Sequence, residues 1–206
     1  MRHDPRVPSA CDPPDDCFRL TLAGFPLLLM NVHLPSGQSE VKERNSAFRE
    51  VLRGVSQAFA PEDLPAPLHQ HTTILFGDLN YRLTLPNREV RWRLSCRDWL
   101  TCLAADQLSL QLGAQGTEFE EWDEADVTFR PTYKYDAGTN NLDTSEKQRA
   151  PAWCDRVLWR QGKQRGSTAA IEPLLYESCQ NTLTSDHKPI KFLARIRMRT
   201  GNSREW

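Results

Sequence analysis

Three features of the sequence predict a mixed α/β domain. Apolar runs of strand length at residues 26–34, 72–76 and 153–159 alternate along the chain with a stretch of helical periodicity. Polar and charged residues stand at the ends of those runs, where open α/β sheets build their sites. A chain of 206 residues, 39% of them hydrophobic, is long enough for one domain with a substantial core.

The elements follow in order. Residues 1–17 hold four prolines, four aspartates and two cysteines without periodicity, and read as an unstructured leader. Phe18, Leu20 and Leu22 then alternate with polar residues, Gly24 punctuates, and 26–34 is almost continuously apolar, which predicts a hairpin whose second strand is buried on both faces. Val41, Phe48, Val51, Leu52 and Val55 recur at helical spacing, with Ser36 or Ser39 available as a cap. Three prolines mark 60–70 as a loop, and the strand 72–76 ends at Gly77, so that 78–83 leaves a buried strand. Leu94, Trp99, Leu100 and Leu103 predict one or two short helices.

The block 118–126 carries six carboxylates in nine residues and reads as a solvated face or turn. Residues 127–135 alternate like a strand, and 136–150 form a polar loop. The run 153–159 is a strand interrupted by Asp155 and Arg156. The last two strands, 174–177 and 190–198, are separated by a loop carrying Ser185, Asp186 and His187.

Composition excludes several classes. Lys plus Arg number 26 and Asp plus Glu 27, a formal net charge of −1, so there is no global basic field for gripping nucleic acid and no nucleic-acid partner is expected. The longest apolar run, 25–30, is too short to cross a bilayer, and the polar, proline-rich start is unlike a signal peptide. A cytoplasmic location, or a peripheral one at membranes, is the expectation. The six cysteines show neither CxxC pairing nor zinc spacing, and free thiols are expected.

Chemistry-bearing residues collect at strand ends: Asn31 to His33, Asp78 to Asn80, Asp155, and Asp186 with His187. Carboxylates, imidazoles and an amide, without a Cys or Ser nucleophile pattern, suit metal-assisted attack of water on a phosphate ester. Hard oxygens hold the cation, a carboxylate or imidazole moves the proton, and neutral or cationic donors stabilise the phosphate oxygens. Each segment alone has a plainer reading. A strand-end histidine is often a satisfied structural residue, Gly-Asp is a common turn, and Asp155 could be a buried partner for Arg156.

Taken together, the segments Asn31-Val32-His33-Leu34, Phe76-Gly77-Asp78-Leu79-Asn80-Tyr81-Arg82, Pro131-Thr132-Tyr133-Lys134-Tyr135-Asp136, Asp143-Thr144-Ser145-Glu146-Lys147, Arg149 through Trp159, and Ser185-Asp186-His187-Lys188-Pro189 resemble, in order and spacing, the motifs of inositol polyphosphate 5-phosphatases. Gly37-Gln38-Ser39, Val41 to Asn45 and Leu85-Pro86-Asn87 are most similar to the synaptojanin branch. The departures are mild: Val32, Pro35-Ser36, Leu142 and Lys188 stand where the family has other residues.

The resemblance implies a two-sheet β-sandwich flanked by helices, the fold of deoxyribonuclease-like and apurinic-endonuclease-like phosphoesterases. It implies a partial catalytic domain over 18–198 and a tail at 199–206. It also implies that the family's first strands, with an Asn and the Glu that anchors Mg, would precede Phe18. Residues 1–17 contain no such motif and no Glu, so those strands are expected to be missing.

By the same resemblance, Asp78 would activate water and Asn80 would hold the scissile phosphate. Asp155 would orient His187, His33 would contact the phosphate from the other side, and Asp186 would sit at the Mg edge. Tyr133, Lys134, Lys147 and Arg149 would recognise a neighbouring 4-phosphate with charge-assisted bonds. Residues 130–165 hold eight Lys or Arg against four Asp or Glu, consistent with such a local positive surface. The implied activity is Mg-dependent hydrolysis of the 5-phosphate of phosphatidylinositol 4,5-bisphosphate and related inositol phosphates. The ligand would be a phosphoinositide headgroup at a membrane surface or a soluble inositol phosphate. The alternatives are a weak or silent phosphoinositide-binding fragment, and a nuclease or phosphodiesterase of the same fold.

Overall fold

The computed structural model describes residues 17–22, 25–58, 70–162 and 167–200. The expected leader up to residue 16, most of the 60–70 loop and the end of the tail lie outside them. The elements are β1 (Cys17–Leu22), β2 (Phe25–His33), α1 (Val41–Ala58), β3 (Thr72–Asp78), α2 (Asn87–Ser95), α3 (Trp99–Ala104), α4 (Gln107–Leu112), β4 (Asp123–Glu124), β5 (Asp155–Arg160), β6 (Ser167–Ser178) and β7 (Ile190–Thr200).

A five-stranded sheet runs in the order β1-β2-β3-β5-β4, and β6 pairs with β7 in a second sheet. Among the described strands only β2 and β3 are parallel, with α1 as the crossover between them. Side chains alternate across a strand, so the central strands serve two layers. Leu28 and Met30 of β2, Leu75 of β3 and Leu158 of β5 pack with Phe48 and Val55 of α1, both fully buried. Burial of this kind contributes about 1.5–3 kcal/mol per side chain. On the opposite face Ile74, Phe76 and Val157 meet Tyr176 of β6 and Ile190 and Phe192 of β7. The two-sheet sandwich with outside helices is therefore present. The β6–β7 pair leaves Phe18, Leu20 and Leu22 on the outer strand exposed.

Several expectations need correction. No strand forms over 127–135. Pro131 removes a donor there, and the main chain instead makes single links, Tyr133 with Ala152, Tyr135 N–H to Asp186 O at 2.9 Å, and Lys188 N–H to Thr132 O at 2.8 Å. The segment is a brace between loops. Three short helices, not one or two, fill 87–112, because Asp98 and Asp106 accept the amides of Thr101 and Ser109 and so start new helices. The helix α1 begins at Val41, with the Ser39 hydroxyl turned to the Glu40 carboxylate at 2.9 Å. The last two strands run longer than expected.

The acidic block is not simply solvated. Glu124 lies on β4 and receives Arg156 Nε at 2.6 Å and Nη2 at 2.5 Å, while Arg156 Nη1 reaches Asp106 Oδ1 at 2.9 Å. Arg156 is fully buried, and the Tyr176 hydroxyl also donates to Glu124 at 2.9 Å. Arg156 therefore has partners other than Asp155. The five described cysteines, Cys17, Cys96, Cys102, Cys154 and Cys179, are free thiols as expected.

Candidate active site

Strand register assembles the site. His33, the last residue of β2, lies beside Asp78, the last of β3, and Asp78 lies beside Asp155, the first of β5. Three chemically active residues thus stand in a row at one sheet edge, all on the same face because directly paired residues share a face. The β6–β7 loop brings His187 above them. Its Nδ1 is 2.9 Å from Asp155 Oδ2 and its Nε2 3.9 Å from Asp78 Oδ2, while His33 Nε2 is 3.5 Å from the same Asp78 oxygen.

Gly77 makes this close approach feasible. Its φ is +136°, and a Cβ there would lie 2.1 Å from the carbonyl oxygen of Val32 on the neighbouring strand. The chain then turns through Asn80, whose φ is 56° and whose amide N–H bonds to Asp78 Oδ1 at 2.9 Å. The Asn80 side chain is buried. Its Nδ2 donates to Leu34 O at 3.0 Å, and its Oδ1 accepts Arg82 Nη2 at 2.5 Å, which leaves one amide hydrogen for a ligand.

Electrostatics follow from this crowding. Burial raises the pKa of Asp78, and the nearby Asp155 carboxylate raises it further. Burial disfavours a charged His187, but its bond to Asp155 and the charges of Asp155, Asp78 and Asp186 outweigh that, and its pKa sits above the ordinary value. A carboxylate bonded to one ring nitrogen fixes the tautomer and leaves the other nitrogen for a phosphate oxygen. The ligand atoms of Asp78, Asp155 and His187 lie within 4.8 Å of one another, and two hard carboxylates converging beside an imidazole are a donor set that fits a divalent cation.

Asp186, expected at the metal edge, is outside this cluster. Its Oδ2 is bonded to Lys134 Nζ at 2.9 Å, which outweighs the effect of burial and lowers its pKa, and it raises that of Lys134 in turn. Tyr133 lies with its ring centroid 4.7 Å from that of His187. Lys147 and Arg149 are exposed on the 143–149 segment, which joins the Lys134 region through Asp143 N–H to Lys134 O at 2.9 Å.

Sequence reasoning gave Arg82 no role. In the structure it is buried, holds Asn80 and places its guanidinium 4.3 Å from the Tyr133 ring centroid, so it ties the Asp78 turn to the Tyr133 segment. Its place two residues after Asn80 in the motif was the available signal. Among the described residues no helix is long and apolar enough to cross a membrane.

Residues 17–193 match the model of the endonuclease/exonuclease/phosphatase family 2. The chain is 38% identical over 187 residues to mouse type II inositol 1,4,5-trisphosphate 5-phosphatase, covering 89% of this chain and 18% of that protein. It is 39% identical over 186 residues to human synaptojanin-1, covering 80% of this chain and 11% of that protein. The chain thus spans less than a fifth of either relative's length. In structure it is similar to the inositol polyphosphate 5-phosphatase domain of SPsynaptojanin, solved with inositol (1,4)-bisphosphate and a calcium ion. The TM-score is 0.76 at 29% identity, over 90% of this chain and 51% of that one.

Proposed function

Because the chain belongs to the endonuclease/exonuclease/phosphatase family and its relatives are inositol polyphosphate 5-phosphatases, we propose that its site binds a phosphoinositide or inositol phosphate headgroup and hydrolyses the 5-phosphate. The observation that carries this reading is the alignment of His33, Asp78 and Asp155 on three adjacent strand ends beneath His187, with Lys134 and the 143–149 segment to one side. Phosphatidylinositol 4,5-bisphosphate is the proposed lipid substrate. The protein would meet it peripherally, from the cytoplasm.

In this reading Asp78 takes a proton from the attacking water, a role its raised pKa suits by bringing it nearer to neutrality. His187, charged and held by Asp155, neutralises the phosphate, and its Nε2 can deliver a proton to the leaving oxygen. His33 stands on the other side of Asp78 and donates to a phosphate oxygen. The free amide hydrogen of Asn80 does the same, with Arg82 fixing the orientation of the amide. Asp186 would hold Mg at the edge of the site through Oδ1, its Oδ2 being bonded to Lys134. When bound, the cation would polarise the scissile phosphate. Tyr133, Lys134, Lys147 and Arg149 would hold the 4-phosphate.

The test measures phosphate release from phosphatidylinositol 4,5-bisphosphate vesicles and from soluble inositol 1,4,5-trisphosphate, and strand cleavage of an abasic DNA duplex, each with and without Mg. Release from the inositol substrates alone, and only with the cation, is expected. Cleavage of DNA without release from inositol phosphates would assign the site to a nuclease. Headgroup binding with no release would make the chain a binding domain.

A further inference from the structure

We propose that Arg91 and Asp143 are positioning residues that set the preference for a 4-phosphate, by holding residues 143–149 in the form that presents Lys147 and Arg149. The proposal rests on the headgroup reading above. Asp143 is 1% exposed, and its carboxylate is spent within its own loop: Oδ1 accepts the Ser145 N–H at 3.0 Å and Oδ2 the Arg149 N–H at 2.6 Å, and the Ser145 side chain adds a further bond. These bonds outweigh the effect of burial and hold its pKa below the ordinary carboxylate value. Its own N–H bonds to the carbonyl of Lys134 at 2.9 Å, which couples the loop to the residue that carries the third cation.

Helix α2 closes the arrangement from outside. Arg91 Nη2 donates to the carbonyls of Asp143 at 2.7 Å and Arg149 at 3.2 Å, and its Nε to Asn87 Oδ1 at 3.0 Å. Asn87 Nδ2 in turn donates to the carbonyl of Gln148 at 2.5 Å, at a residue whose φ of 37° lies in the left-handed region. Positions 87 and 91 are one helical turn apart, so a single face of α2 grips the loop at residues 143, 148 and 149. Three of the five N–H donors of Arg91 are engaged by the loop carbonyls and Asn87, which makes it a positioning residue for the loop. A loop already folded need not be ordered by the ligand, and preorganisation of this kind raises affinity for the group that the loop contacts.

The experiment compares binding of inositol 1,4,5-trisphosphate and inositol 1,5-bisphosphate by calorimetry in the wild-type chain and in Arg91→Ala, Arg91→Lys and Asp143→Asn. Hydrogen exchange of the Ser145 and Arg149 amides is followed in parallel. The isosteric Asp143→Asn retains one acceptor oxygen, so it can serve one of the two amides but not both. The wild type is expected to prefer the 4-phosphate ligand about tenfold or more. Arg91→Ala and Asp143→Asn should cut that preference to within about threefold, leave binding of the 1,5-bisphosphate within about twofold, and speed exchange at the two loop amides but not in β3. Arg91→Lys should restore part of the preference. If Arg91→Ala does not fold, Asn87→Ala, which removes the Gln148 bond, takes its place with the same expectation. Full preference retained in these variants overturns the proposal and leaves the headgroup reading standing. Equal losses on both ligands also overturn it, by showing a general structural role. A wild-type chain that binds neither ligand, or binds both alike, overturns the headgroup or 4-phosphate reading itself.

Discussion

His187 bridges two carboxylates, with Nδ1 2.9 Å from Asp155 and Nε2 3.9 Å from Asp78. Burial works against the charged ring, but the Asp155 bond and the surrounding acids prevail, and the pKa is raised. A folded pKa above the unfolded one means that the stabilisation is complete below the ordinary histidine value of about 6.5 and is lost as pH rises through the folded value. The His187 ring resonances should therefore titrate above about 6.5 in an NMR pH series. In Asp155→Asn the midpoint should fall, and the pH dependence of stability in that window should shrink. A midpoint that does not move on this substitution would show that Asp155 does not hold the ring.

Asp78 is predicted to be the most sensitive position for turnover. An amide cannot accept the proton of an attacking water, so Asp78→Asn should lower the rate by at least about 10², with substrate affinity little changed. Because burial and Asp155 raise the carboxyl's pKa, the wild-type rate should fall from the acid side at a pH above that of an ordinary aspartate. A loss of less than tenfold would remove Asp78 from the mechanism.

Legibility in the sequence followed the range of the interactions. The register that aligns His33 and Asp78 was foreshadowed by polar residues closing apolar runs, because strand period and burial are local signals, whereas Asp155 was read as an interruption within 153–159 and in fact opens β5. The pairing of Asp155 with His187 could be inferred only through family resemblance, since 32 positions separate them. Glu124 was read as solvated because its partner Arg156 lies 32 residues away, and nothing in an acidic run marks which carboxylate turns inward. Residues 127–135 alternate like a strand, yet their main chain bonds to loops at 152 and 186–188 that no periodicity announces. The roles of Arg82 and Arg91 were hidden for a similar reason: each acts by gripping backbone or amide atoms, and such contacts leave no pattern in side-chain spacing.

Gly77→Ala should destabilise the fold sharply. The φ of +136° is strained for any L side chain, and the new methyl would lie 2.1 Å from backbone, the Val32 carbonyl oxygen, which cannot move without breaking the β2–β3 pairing. A cost of about 3 kcal/mol or more is expected in urea unfolding, with loss of activity following the displacement of Asp78. A cost under about 1 kcal/mol would mean that the strands separate freely at this point.

Arg156→Met tests the buried ion cluster. Methionine fills much of the volume but leaves Asp106 and Glu124 facing each other without a cation, and removing one partner of a buried pair typically costs about 3–5 kcal/mol. Arg156 is adjacent to Asp155, and their side chains leave the strand on opposite faces, so loss of the cluster should also loosen the His187 contact. Unfolding midpoints and the His187 titration should shift together. Wild-type stability in the variant would show that the cluster contributes nothing net.

The Lys134–Asp186 pair is predicted to be an exchangeable one. Its side chains are 31% and 41% exposed, and an ion pair so open to water is worth only about 0–1 kcal/mol, despite the 2.9 Å separation. A phosphate dianion offers the ammonium more charge than a single carboxylate, so a bound 4-phosphate should draw Lys134 away from Asp186 at little cost. Lys134→Ala should then weaken binding of inositol 1,4-bisphosphate by about 1.5–3 kcal/mol, the range for a hydrogen bond to a charged group. Asp186→Asn frees the lysine from its competitor, so binding measured without divalent cations should be unchanged or tighter. If Asp186 also contributes its Oδ1 to a cation, the same variant should need more Mg for half-maximal turnover. Weaker cation-free binding in Asp186→Asn would mean instead that the carboxylate serves to aim the ammonium, and the exchange described here would not occur.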